Sequence, residues 1–289
     1  SLMIIGLALI AGFILATGAA LLIEMLDRRI RDQEELLHLY PLPILARIPP
    51  LPRSLRGKPM SPTTMPPAVR EGFRTLLVQL EQHPTSPHTI MVTSATTGDG
   101  KTSSAISLAY ALVGAGHRVI LIDFDLRKPN VGAALGVQAS SQGLVSLLAS
   151  DTTLADLLVS APQLPPLKVV PAGTDGDVVL LEALTRRLPD VLREAEELAD
   201  FVILDTPPLG EVSDALRMAD HVDGTIIVAR PGNTDRGNFE VMHDLLEQSH
   251  QTPLGFVLVG VSQGASTYYT YGLSQRSNGA SRLTTRSPS

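Results

Sequence analysis

Cysteine and tryptophan are both absent from the 289-residue chain, and aromatic residues make up only 4% of it. Without cysteine there are no disulfides, no thiol nucleophile and no thiolate metal site, which suits a reducing compartment. The seven histidines show no H-x-x-x-H or comparable spacing, so the sequence offers no case for a histidine-built metal centre. A basic excess is missing too. Lys and Arg number 23 against 29 Asp and Glu, a formal net charge of −6, which argues against a generic nucleic-acid binder. Against so few aromatics, a cluster of them is informative: Tyr268, Tyr269 and Tyr271, three of the five tyrosines, fall within four positions.

A long apolar run is present. Residues 2–23 read LMIIGLALIAGFILATGAALLI and carry no charge, and about 20 such residues cross a bilayer as a helix. No basic segment precedes the run, and it is longer than the core of a secretory signal. Gly6, Gly12 and Gly18 allow close packing with neighbouring membrane helices. Arg28, Arg29 and Arg31 follow it and predict a cytoplasmic C-terminal side. The run starts almost at Ser1, so the expectation is a longer protein whose earlier part lies outside the membrane. Prolines at 41, 43, 49, 50, 52, 59, 62, 66 and 67 then predict a semi-stiff connector in which residues 42–49 could add a short strand. Residues 68–82 place Val69, Phe73, Leu76, Leu77 and Leu80 at helical spacing.

The chemistry gathers after this helix. Residues 89–94 are an apolar, β-branched strand that breaks into Ala95-Thr96-Thr97-Gly98-Asp99-Gly100-Lys101-Thr102-Ser103. This fits the phosphate-loop pattern G-x-x-x-x-G-K-[ST], with Ala95 in the first glycine position. Backbone N–H groups of Thr97, Gly98, Asp99, Gly100, Lys101, Thr102 and Ser103 would face phosphate oxygens at a helix N-terminus. Lys101 would neutralise the β/γ-phosphates and the Thr102 hydroxyl would hold Mg²⁺. A second continuous strand ends in Asp123, with Asp125 two positions on; a third, Phe201-Val202-Ile203-Leu204, ends in Asp205. Apolar strands ending in acid belong to a parallel sheet with ligand chemistry at its carboxyl edge. Carboxylates beside a triphosphate make sense if Mg²⁺ lies between, or if one accepts a proton from an attacking hydroxyl. Further helices are expected near 144–148, 154–159, 178–187 and 189–199, and further strands at 167–171, 224–229 and 254–261.

Taken together, the phosphate loop, the stretch Ile122-Asp123-Phe124-Asp125-Leu126-Arg127-Lys128-Pro129 and the stretch Leu204-Asp205-Thr206-Pro207-Pro208 resemble the bacterial tyrosine kinases, cytoplasmic modules of polysaccharide co-polymerases. The signatures of eukaryotic-type kinases, H-R-D and D-F-G, are absent. The resemblance implies an α/β fold, a doubly wound and mostly parallel sheet of the P-loop NTPase (ParA/MinD-like) kind, preceded by one transmembrane helix. It divides the chain into a membrane helix (1–25), a juxtamembrane linker (26–66), the kinase domain (67–262) and a tyrosine-containing tail (263–289). It implies ATP and Mg²⁺ as cofactors, Lys101, Asp123 and Asp125 as catalytic residues, and Thr102, Asp123 and Asp205 around the metal. Tyr268, Tyr269 and Tyr271 would be phosphorylated in trans within a ring-like homo-oligomer at the bacterial inner membrane. The implied partners are the polysaccharide polymerisation and export machinery and a cognate tyrosine phosphatase, with no nucleic acid.

The chain departs from the family in three places, one of them a tail that is tyrosine-poor for the family. The oligomerisation motif E-x-x-R-x-x-R is matched by Glu71 and Arg74 but has Leu77 last, and Val259 stands where an adenine-contacting Asn is usual. The competing functions are a ParA/MinD-like ATPase switch, disfavoured because Ala95, Thr96 and Thr97 leave no second lysine in the loop, and a co-polymerase regulator that binds nucleotide but turns it over poorly.

Overall fold

The computed structural model describes residues 2–55, 61–137, 143–148, 152–173, 178–212, 215–249 and 251–261. In chain order the regular elements are α1 (Leu2–Leu26), α2 (Gln33–Leu39), β1 (Ile44–Ile48), α3 (Pro67–Glu81), β2 (Thr89–Ser94), α4 (Lys101–Gly114), β3 (Val119–Asp123), α5 (Val131–Leu135), α6 (Leu154–Leu157), β4 (Val159–Ala161), β5 (Leu164–Val170), α7 (Val178–Leu198), β6 (Phe201–Asp205), α8 (Leu216–Ala219), β7 (Gly224–Ala229), α9 (Arg236–Gln248) and β8 (Gly255–Val259).

The strands form one eight-stranded sheet in the order β1-β8-β7-β2-β6-β3-β5-β4. Every pairing is parallel except β4 with β5. The reason lies in the side-chain alternation. Met91, Ile120, Ile122, Val202, Leu204, Ile227, Phe256 and Leu258 pack on one face with α2, α7 and α9. Their neighbours Ile90, Val92, Val119, Leu121, Phe201, Ile203, Ile226, Val228 and Val257 pack on the other with α3, α4 and α5. Strands apolar on both sides need helices on both faces, which makes the sheet doubly wound. β2 sits between β7 and β6 and is followed by α4, so the chain turns at the middle of the sheet. Open α/β sheets bind ligands at such a switch point, beyond the strands' carboxyl ends.

The structure differs from the sequence expectations in three places. Among the described residues no helix is long and apolar enough to cross a membrane. α1 itself runs 25 residues, but the side chains of residues 2–5, 7–9, 20, 23, 24 and 26 lie outside the described set. Next, much of the expected connector is part of the folded unit. Ile30 and Leu36 are buried, and β1, the short strand that residues 42–49 could add, pairs in parallel with β8, covering a strand edge that would otherwise be open. Finally, α7 runs straight through Pro189 instead of splitting into two helices. Leu184, Leu188, Val191, Leu192 and Ala195 form one buried stripe across the proline, and that packing offsets the missing backbone hydrogen bond.

Candidate active site

At the end of β2, Leu209 N–H donates to the Ser94 carbonyl (2.9 Å), and the Ser94 hydroxyl donates to the Thr96 carbonyl (3.0 Å). The loop closes at Gly100, whose φ of +99° lies in the left-handed region where a side chain would be strained. Gly100 provides no side-chain cap for α4. The first-turn N–H groups of that helix are therefore left to an anion.

Asp99 turns inward. Its carboxylate accepts from Thr96 N–H (3.1 Å), Asn233 Nδ2 (2.9 Å) and the Thr234 hydroxyl (2.9 Å). Asp235 N–H donates to Thr96 Oγ1 at 3.0 Å. The loop after β7 thus braces the loop after β2. Burial pushes the Asp99 carboxyl up to about 6, with the three hydrogen bonds and Arg230 acting in the opposite direction.

Lys101 opens α4 with its side chain only 10% exposed, and its Nζ lies 2.6 Å from Asp125 Oδ2 and 3.7 Å from Asp205 Oδ1. Burial alone would lower its pKa; the charges of Asp205, Asp125 and Asp123 outweigh that and raise it. Asp123, at the end of β3, accepts N–H bonds from Asp125 (3.2 Å), Asn130 (3.1 Å) and Val131 (3.0 Å). Asp123 and Asp205 are directly opposite each other in the β3–β6 register. Burial, reinforced by the Asp205 charge, holds Asp123 well above the usual carboxylate range. Burial also raises Asp205, against the opposing pull of Lys101. Both Asp205 side-chain oxygens are buried without a hydrogen-bond partner. A buried acid with neither oxygen hydrogen-bonded costs stability, and one placed beside a phosphate loop fits a hydrated cation brought in with the nucleotide. No group of three or more His, Cys, Asp or Glu among the described residues could hold a metal by itself.

Thr97 through Ser103 therefore form one continuous loop and first helical turn, and the structure brings Lys101, Asp123, Asp125 and Asp205 together around it. Ser103 and Gly100 line a neighbouring cleft of about 250 Å³ with Pro50, Arg230 and Val259. Leu77 is 7% exposed on the core side of α3, which makes it a packing residue. Tyr268, Tyr269 and Tyr271 lie outside the described residues. Sequence reasoning missed Asn233, Thr234 and Glu211. The one signal was that each follows a strand ending at the carboxyl edge.

Fold and site define a P-loop nucleotide-binding protein. The family described as an AAA domain matches residues 87–233. The tyrosine-protein kinase CpsD of Streptococcus agalactiae is 31% identical over 186 residues, covering 63% of this chain and 80% of that protein. The kinase domain of the Escherichia coli tyrosine kinase ETK superposes with a TM-score of 0.69 at 26% identity, over 83% of this chain and 99% of that one. The septum site-determining protein MinD of Pyrococcus horikoshii, solved with Mg-ADP, gives a TM-score of 0.50 at 27% identity, over 59% and 69%. The chain belongs to the bacterial tyrosine-protein kinases and has a MinD-like fold.

Proposed function

We propose that this tyrosine kinase transfers the γ-phosphoryl group of ATP to tyrosines of its own tail, Tyr268, Tyr269 and Tyr271, on a neighbouring subunit of a ring-like oligomer. The observation that carries the reading is the Lys101–Asp125–Asp205–Asp123 cluster beside an uncapped helix N-terminus. In transfer, the bond from the γ-phosphorus to the β-phosphate oxygen breaks and one to the phenol oxygen forms. Lys101 leaves Asp125 for the β/γ-phosphates and, with the loop N–H groups, stabilises the charge that develops there. Asp123, its carboxyl held high by burial, takes the phenol proton. Thr102 and Asp205 would hold Mg²⁺, which supplies charge neutralisation across the phosphates. The cleft beside Val259 would take the base.

At the other end of the chain, α1 would cross the bacterial inner membrane and leave the kinase domain in the cytoplasm. Ile10, Phe13, Ile14, Leu15 and Met25 are 61–85% exposed on it, and 25 helical residues reach about 37 Å against a bilayer core of about 30 Å. The polysaccharide polymerisation and export machinery and a tyrosine phosphatase are the partners this reading assigns.

The test is to incubate the full chain with ATP and Mg²⁺ and to map phosphate by mass spectrometry. Phosphotyrosine at 268, 269 and 271 is expected in the wild type and is lost in Lys101→Met. ATP hydrolysis without phosphotyrosine would instead mark a MinD-like ATPase.

A further inference from the structure

The turn after β6 carries an acid that the phosphoryl-transfer reading does not use. Glu211 is exposed, yet both its oxygens are engaged by one residue of the phosphate loop. Thr97 N–H donates to Oε1 at 2.7 Å and the Thr97 hydroxyl to Oε2 at 2.8 Å. The turn that presents it is stiff. Glu211 N–H and Val212 N–H bond the Pro208 carbonyl, Leu209 N–H bonds Ser94, and the Thr93 hydroxyl bonds the Pro207 carbonyl. At Gly210 a Cβ would stand 2.4 Å from the Ala95 carbonyl oxygen and 2.3 Å from that of Asn238, so only glycine fits there.

A carboxylate is thus held on an N–H group of a loop whose N–H groups serve phosphate oxygens. Thr97 lies toward the start of the loop, away from α4, and its contact comes from the turn that follows the strand carrying Asp205. The diphosphate part of a nucleotide occupies the helix end of such a loop; a third phosphate extends toward the acidic strands. We infer that Glu211 discriminates between nucleoside triphosphate and diphosphate. Its charge opposes the γ-phosphate and leaves the diphosphate untouched. In the resting enzyme Glu211 takes the place of an anion at Thr97, and the triphosphate binds only at the cost of repelling or displacing it. The enzyme therefore retains ADP better, relative to ATP, than its phosphate loop alone would.

This inference rests on the nucleotide reading above. Its test is titration calorimetry on the full chain with Mg²⁺ and either ADP or the β,γ-imido analogue of ATP. Glu211→Gln should tighten the imido analogue about fivefold or more, the effect of one charge a few ångströms away even in water, and leave ADP within about twofold. Glu211→Ala should show the same selective gain, and the difference between wild type and variant for the imido analogue should shrink with added salt. Equal changes for both nucleotides would mean that Glu211 only shapes the loop, and a selective loss of the triphosphate would mean that it helps the γ-phosphate. Either result overturns the inference. Wild-type protein that binds neither nucleotide would overturn the nucleotide reading itself, and this inference with it.

Discussion

At the amino-end rim of the sheet, Arg118 and Asp200 meet at 2.7 Å with 62% and 38% of their side chains exposed. Asp223 there accepts backbone N–H bonds from His88 and Thr89 at 2.9 and 2.8 Å. At the carboxyl-end rim, Lys101 and Asp125 meet at 2.6 Å with 10% and 5% exposed. One rim pairs Asp200 with Arg118 in water, where hydrogen bonds from Arg118 draw the Asp200 carboxyl down. The other crowds three acids around one lysine out of water, where burial drives Asp123 and Asp205 up. The residue types are the same, so charge alone does not mark a site. What marks it is charge that the protein buries and leaves short of partners, a cost that only a ligand removes.

Removing the lysine should break that contrast most strongly. Lys101→Met should lower tyrosine phosphorylation about 10³-fold, as loss of a phosphate-charge donor does. It should also destabilise the nucleotide-free protein by about 3 kcal/mol near pH 8, because the carboxylates lose their cation. Phosphate incorporation and urea unfolding check the two halves.

A subtler effect is expected at Asp99. Burial raises its carboxyl from 3.8 to about 6, so the folded state binds more protons than the unfolded state between those values. Stability from this group is present in acid and is lost as pH rises through that window, by up to about 3 kcal/mol. Asp99→Asn should flatten that part of the stability-versus-pH curve, measured by urea unfolding at stepped pH. The smallest effect belongs to the opposite rim. Arg118→Ala should leave phosphorylation unchanged and shift the unfolding midpoint least, since exposed pairs contribute little. A loss of kinase activity there would erase the distinction between the rims.

The central part of this arrangement was legible in the sequence because local rules decide it. The strand 89–94, the helix start at Lys101 and the strand-terminal Asp123 and Asp205 are all fixed by apolar runs that stop at glycine or acid. What could not be read depends on contacts far apart in the chain. Asp99 meets Asn233 and Thr234 across 134 and 135 positions, and Thr97 meets Glu211 across 114. No period or motif encodes those pairs. The short strand expected within 42–49 is present as β1, but its place beside β8 depends on a partner more than 200 positions away. α7 looked like two helices because local proline chemistry said so, while the buried stripe from Leu184 to Ala195, which runs across Pro189, decided otherwise. β4, exposed at two of its three positions, carries no apolar run to announce it.

Asp205→Asn puts the account to its most direct test. Urea unfolding of wild type and variant, each with and without Mg²⁺ and the β,γ-imido analogue of ATP, separates what this acid costs the protein from what it does for the ligand. Asp205 is a buried acid with neither oxygen hydrogen-bonded and Lys101 no nearer than 3.7 Å, so the variant alone should be more stable than wild type by about 1 kcal/mol or more. It should gain less stability from the metal–nucleotide pair. A variant that is less stable alone, and gains as much from the ligand as wild type does, would contradict the claim that this rim keeps an unsatisfied charge for its nucleotide.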